Sequence, residues 1–215
     1  MFDNPGLSLF VAIAIALGGW YAIGTQYNVR LGKHALVWLQ KGLPLVGEKA
    51  TLHWVGSSTV EVKILKANDP FRSAEVLIVL QPREIPFLSL WNGKRVPRDQ
   101  VIFRMQLRAA PKFELDARLP TLAREREDGR GGKWTPVQGG VANNMSADVR
   151  GQISPFSINH LILQASLDGL TLTRLKVRRT VPNLQVHFLL PNFEEVSIRR
   201  VIESLRQLGD EVLKI

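Results

Sequence analysis

Three features of the 215-residue chain predict an α+β fold: one N-terminal transmembrane helix, then a mainly antiparallel β domain closed by a C-terminal amphipathic helix. Residues 7–24 (LSLFVAIAIALGGWYAIG) are apolar and uncharged. From residue 50 the apolar positions recur with a period of two, the mark of half-buried strands. The final stretch returns to helical spacing, with Ile198, Val201, Ile202, Leu205, Leu208 and Val212 on one stripe. The expected organisation is a short extracytoplasmic N-terminus (1–6), a transmembrane helix (7–27) and a basic juxtamembrane helix (28–46). A β-rich lobe (47–120), a flexible linker or loop (121–140) and a second lobe of β-hairpins with the terminal helix (141–215) follow.

The first segment is long enough to span. Eighteen residues at the helical rise give about 27 Å, and with Thr25 and Tyr27 added the helix crosses a hydrocarbon core of ~30 Å. Trp20, Tyr21 and Tyr27 lie towards its C-terminal end, where amphipathic rings favour the headgroup layer. A cleaved signal peptide is the rival reading, because Ala22-Ile23-Gly24 offers small residues at a cleavage spacing. The preceding MFDNPG holds no lysine or arginine, which argues against a secretory signal. Asp3 is the only charged side chain before the segment, whereas Arg30, Lys33 and Lys41 follow it. The positive-inside bias therefore expects a single-pass protein of the cell (inner) membrane, N-terminus outside and the β domain in the cytoplasm.

Residues 29–41 (VRLGKHALVWLQK) have helical periodicity, with Leu31, Ala35, Trp38 and Leu39 in one arc and Arg30, Lys33, His34 and Lys41 opposite. Gly42 and Pro44 stop this helix. Its apolar face has two available partners, the following domain or the bilayer interface; in the second case the cations lie near lipid phosphates.

Strands are expected at 50–55 and 60–64, joined by Gly56-Ser57-Ser58, and at 75–80, 87–91, 101–107 and 113–117. Beyond the Gly-rich 121–140 stretch, 158–166 and 170–178 read as a hairpin around Asp168-Gly169, and 184–190 as one more strand. Asn192 and Glu195 stand at capping-box spacing ahead of the last helix.

Chemistry is sparse. The absence of cysteine excludes disulfides, thiolate zinc sites, iron–sulfur clusters and cysteine nucleophiles. His34, His53, His160 and His187 are scattered and form no metal-binding motif, and no serine lies in a nucleophile elbow. Gly129–Lys133 (GRGGK) fails as a phosphate loop: Glu127 stands where the first glycine belongs, and Trp134 where the magnesium-binding hydroxyl belongs. No catalytic residue, metal site or cofactor is assigned. Glu114 and Asp116 share a strand face with Lys112, the pattern of a salt-bridged surface.

What has direction is positive charge. The net charge is +9, and beyond residue 24 the chain holds 28 basic residues against 18 acidic ones. Arg174, Lys176 and Arg178 alternate with core-type Leu175 and Val177, placing three cations on one face of a strand. With Arg30, Lys33 and Lys41 they form the candidate anion- or lipid-binding set. Nucleic acid is the less favoured partner because no recognition motif accompanies the charge. The expected function is a non-catalytic binding or scaffolding module at the anionic membrane surface, its partner the lipid bilayer through the spanning helix and the headgroups. Alternatives are an accessory subunit of a larger membrane protein complex, and an enzyme or small-molecule sensor with a pocket between the lobes. The last would need a polar pocket near 121–140 holding Glu114, Asp116 or His160.

Overall fold

The computed structural model describes residues 5–85, 98–122, 134–138 and 141–215. The strand expected at 87–91 and most of the 121–140 stretch, with its GRGGK run, lie outside them. The described chain opens with one long helix, α1 (Pro5–Gln40), and a single turn, α2 (Leu43–Val46). Five strands follow: β1 (Gly47–Val55), β2 (Thr59–Ala67), β3 (Phe71–Val79), β4 (Gln100–Leu107) and β5 (Glu114–Arg118). After them come the two-residue β6 (Thr135–Pro136), β7 (Ser146–Arg150), helix α3 (Pro155–Ala165), β8 (Leu172–Val177), β9 (Leu184–Leu189) and helix α4 (Ile198–Lys214).

All nine strands join one antiparallel sheet in the order β1-β2-β3-β4-β9-β8-β5-β7-β6. Strands from before and after the 121–140 stretch therefore interleave, and the two lobes of the sequence share a single sheet. One face carries Val60, Val62, Ile64, Val76, Ile78, Leu175, Val177 and Val186, all buried beneath the helices. The other face is polar, because the same strands alternate. The two edges differ: β6 is short and ends in proline, which blunts it, whereas β1 is nine residues long with most positions exposed.

Two expectations in the second half of the chain need correction. Residues 158–166 are not a strand: α3 runs from Pro155, with Ser154 capping it by accepting from the Ser157 amide at 3.0 Å. Ile158, Leu161, Ile162 and Ala165 bury the face that helical spacing aligns. The Asp168-Gly169 turn thus joins a helix to a strand, with Gly169 at φ 77°. Asn192 does not cap the last helix; it holds a separate turn by donating to Glu195 (2.7 Å), and α4 begins later, after Ser197. The expected stripe of α4 is buried as a whole, from Ile198 to Val212.

The segments expected as a spanning helix and a separate juxtamembrane helix are one uninterrupted helix. Its first half is bare, with Phe10 69% and Ile23 72% exposed, and Gly6–Gln40 is long and apolar enough to cross a membrane. Its second half is core of the domain. Gly24, Asn28, Gly32, Ala35, Leu36 and Leu39 are buried along one seam, while Arg30, Lys33, His34 and Lys41 stay exposed. Of the two partners open to the apolar face, the domain is the one it packs against. Trp38 closes this contact: its indole N–H donates to the Val196 carbonyl at 2.7 Å, and its ring lies 5.6 Å from that of Phe193.

The docked half of α1 is thereby separable from its exposed positions by stability measurements. Trp38→Phe keeps an aromatic ring but a smaller one, and leaves the buried Val196 carbonyl without its donor; it should cost about 1–3 kcal/mol in urea unfolding. Val37→Ala, on the exposed side of the same turn, should stay within about 0.5 kcal/mol. Equal effects would mean that the tail of α1 is not core.

Candidate functional site

Two polar constructions stand out, one where α1 meets the sheet and one on the polar face of the sheet. At the first, the chain leaving β3 turns against the helix. The position of a Gly24 Cβ would lie 2.7 Å from the Arg83 carbonyl and the Glu84 nitrogen, so glycine permits this approach. The Trp20 indole donates to the Arg83 carbonyl at 2.9 Å. Asn28, fully buried, donates to the Gln81 carbonyl (2.8 Å) and Glu84 Oε2 (3.0 Å), and its own oxygen accepts from Arg83 (3.0 Å). Arg83 forms a bidentate pair with Asp99, at 3.0 and 2.6 Å, and its guanidinium sits 4.9 Å above the Tyr27 ring. Ser57 donates to the second oxygen of Glu84 at 2.8 Å. The hydrogen bonds to Asp99, ahead of the opposing cost of burial, hold the Arg83 guanidinium above its usual range, so its charge is fixed.

The second construction is a lattice of charge. One register row crosses the sheet through Lys63, Glu75, Arg104, Gln185, Lys176, Asp116 and Asp148. Within it Arg104 lies 3.3 Å and Lys63 3.8 Å from Glu75. Where β8, β5 and β7 meet, these groups are buried: Asp116, Arg174 and Lys176 are 3%, 6% and 4% exposed. Arg174 grips Asp116 with two bonds, Nε to Oδ1 at 2.8 Å and a terminal nitrogen to Oδ2 at 2.7 Å. Arg118 pairs with Asp148 and Arg150 with Glu114, each at 2.8 Å. Trp134 takes two guanidinium groups over its ring, Arg150 at 4.8 Å and Arg178 at 5.0 Å.

The six cations of the sequence-based candidate set are therefore in two unlike settings. Arg30, Lys33 and Lys41 are exposed on α1. Arg174 and Lys176 are buried beside Asp116, and Arg178 stacks on Trp134. Structure brings the two groups of three onto different elements, not into one patch. The salt-bridged face expected around Glu114 and Asp116 is present, but arginines of β7 and β8 fill it; Lys112 points instead to the Ile215 carbonyl (3.4 Å). Sequence reasoning missed Asn28, Arg83, Asp99 and Trp134. The available signal was Gly24, Asn28 and Gly32 at four-residue spacing, a small and polar seam on an otherwise apolar helix.

Acid–base chemistry has little to work with here. Burial alone would push the Asp116 carboxyl up; the Arg174 bonds and the charges of Arg174, Lys176 and Arg118 outweigh it and hold it below the usual carboxylate range. Among the described residues no group of three metal-ligating side chains is assembled. A cavity of 370 Å³ lies between Leu119, Asn143 and residues 166–168 and 170–172, and it contains none of Glu114, Asp116 and His160. No family model matches the chain, and no curated protein matches it.

Asp116 gives the lattice a measurable signature. Asp116→Asn removes the carboxylate that Arg174 grips with two bonds in a buried setting and should destabilise the protein by about 3 kcal/mol at pH 7. Pairing Asp116→Leu with Arg174→Met should recover most of that loss. Because the folded carboxyl is depressed, the unfolded chain binds the proton first. The Asp116 contribution is thus complete above about pH 4 and lost as pH falls through the folded value. The acid limb of the stability profile should flatten in Asp116→Asn, and an unchanged limb would contradict the pairing.

Proposed function

We propose that the chain is a single-pass membrane protein whose β domain is a non-catalytic binding or scaffolding module held against the cytoplasmic leaflet. The observation that carries this reading is the unbroken α1, bare over its apolar first half and built into the domain over its second. A flexible tether would let the domain roam; a shared helix fixes its distance and tilt. With α1 along the membrane normal, Arg30 lies about 9 Å below Gly24 and Lys33 about 14 Å below. Surface potentials decay over about 8 Å at physiological salt, so of the α1 cations Arg30, then Lys33, are within reach of anionic headgroups. Lys41, about 26 Å below, is beyond that reach. Arg174 and Lys176 serve the sheet rather than a lipid, since Asp116 already faces them.

A second reading, a subunit that docks another membrane protein, is favoured by the open edge of β1. The nine-residue β1 pairs with β2 alone among the described strands, and its outer edge, with Leu52 and Val55 about half exposed, suits the addition of a partner strand. Purification in mild detergent should then bring down a partner at fixed stoichiometry.

Absence of native cysteine makes the topology directly testable. Single cysteines replacing Asp3 and Arg199 in the full chain should label oppositely with a membrane-impermeant maleimide on intact cells: position 3 reacts, and position 199 reacts only after lysis. Labelling of both on intact cells, or recovery of the protein in the soluble fraction, would overturn the anchored cytoplasmic reading.

A further inference from the structure

We infer that the connection leaving β3, at Arg83–Ile85, is a second membrane contact, resting in the headgroup layer beside α1. The inference rests on the spanning role proposed for α1. Gly24 abuts Arg83 just past β3, Gly32 abuts Trp54 and Val60 beside the β1–β2 turn, and Gly42 reaches Ile198 and Ile202. Gly47 then pairs with Ala67 at the far end of β2. The helix therefore runs along the strands, antiparallel to β1, and its bare half emerges from the end of the sheet where Ser57 and Arg83 lie.

Length then sets the depth. Leu7–Ile23, the part of α1 above Gly24, is 17 residues and gives about 26 Å, short of a hydrocarbon core of ~30 Å. A helix that spans must bring Gly24 to the hydrocarbon boundary, and the Arg83 backbone comes with it. The chemistry of the junction fits that level. Trp20 Nε1, both ends of the Asn28 amide, both oxygens of Glu84 and both oxygens of Asp99 are satisfied within the protein. Such internal pairing suits the edge of the hydrocarbon core, where partners become few; among the described residues of this junction Thr25 Oγ1 is buried without one. Outward, the same level presents Trp20, Tyr21, Tyr27 and the half-exposed Ile85. The acids Glu84 and Asp99 face Arg83 there, so its charge is met within the protein and the contact rests on the apolar and aromatic side chains.

Spin labels on single cysteines test this in the full-length protein reconstituted into phosphatidylcholine vesicles, with and without phosphatidylglycerol. Positions 13, 21, 65 and 85 are used; all are exposed in the protein, so cysteine leaves the fold intact. The readout is the ratio of collision with oxygen to collision with a water-soluble nickel chelate. The expected order is a high ratio at Ile13→Cys, a low ratio at Leu65→Cys on β2, and a ratio at Ile85→Cys matching Tyr21→Cys, equal in both lipids. A ratio at 85 as low as at 65, or one that rises only with phosphatidylglycerol, would overturn the inference while leaving the anchor in place. A low ratio at 13 would instead overturn the spanning role itself.

Discussion

Every larger feature of this molecule depends on one seam, the packing of α1 residues 24–39 against the sheet. Gly24 and Gly32 let backbone and indole come close, Asn28 ties the helix to the strand end, and Ala35, Leu36, Trp38 and Leu39 fill the core. Without that seam the bare half of α1 is an ordinary apolar segment on a tether. With it, the orientation of the segment and the orientation of the domain are a single variable. Helices of this length in water gain most of their stability from such tertiary contact rather than from propensity.

The polar face of the sheet solves a different problem. Where a nine-stranded antiparallel sheet covered by helices on one side leaves its other face open, as on β2, that face cannot be apolar without becoming adhesive. Here that face is a lattice of opposite charges, in which each carboxylate of the β5–β7–β8 region meets an arginine. Burying such pairs adds little net stability, since desolvation offsets attraction, but it penalises any slip of register that would separate them. The positive charge that dominates the composition is therefore partly structural. What is left for a partner lies on exposed positions, Arg30 and Lys33 among them.

Sequence periodicity located most of the strands and the stripe of α4, because alternation and helical spacing are local properties. The β1–β2 hairpin around Gly56 and the strands near 101–107, 172–177 and 184–189 needed nothing else. Residues 158–166 read as a strand because β-branched and apolar residues crowd together there; the decisive signals, Ser154 and Pro155, lie just upstream. The pairing of Asp116 with Arg174 was illegible for another reason. These residues are 58 apart in sequence, and they meet only because β5 inserts between β7 and β8 while β4 pairs with β9. The basic stripe looked free of acids because its counter-charges come from a neighbouring strand. Likewise, the boundary drawn near residue 28 between two helices followed the onset of charge at Arg30, to which backbone helicity is indifferent.

Amide hydrogen exchange across residues 20–39 of α1, with the full-length protein in nanodiscs, is the most direct measure of that seam. Unbroken slow exchange from the bare half through Gly24, Asn28 and Gly32 into Leu39 is the expected result, since bilayer and core would protect one continuous helix. A fast-exchanging window at residues 25–30, between a protected anchor and a protected tail, would mean that the two halves are hinged and would contradict it.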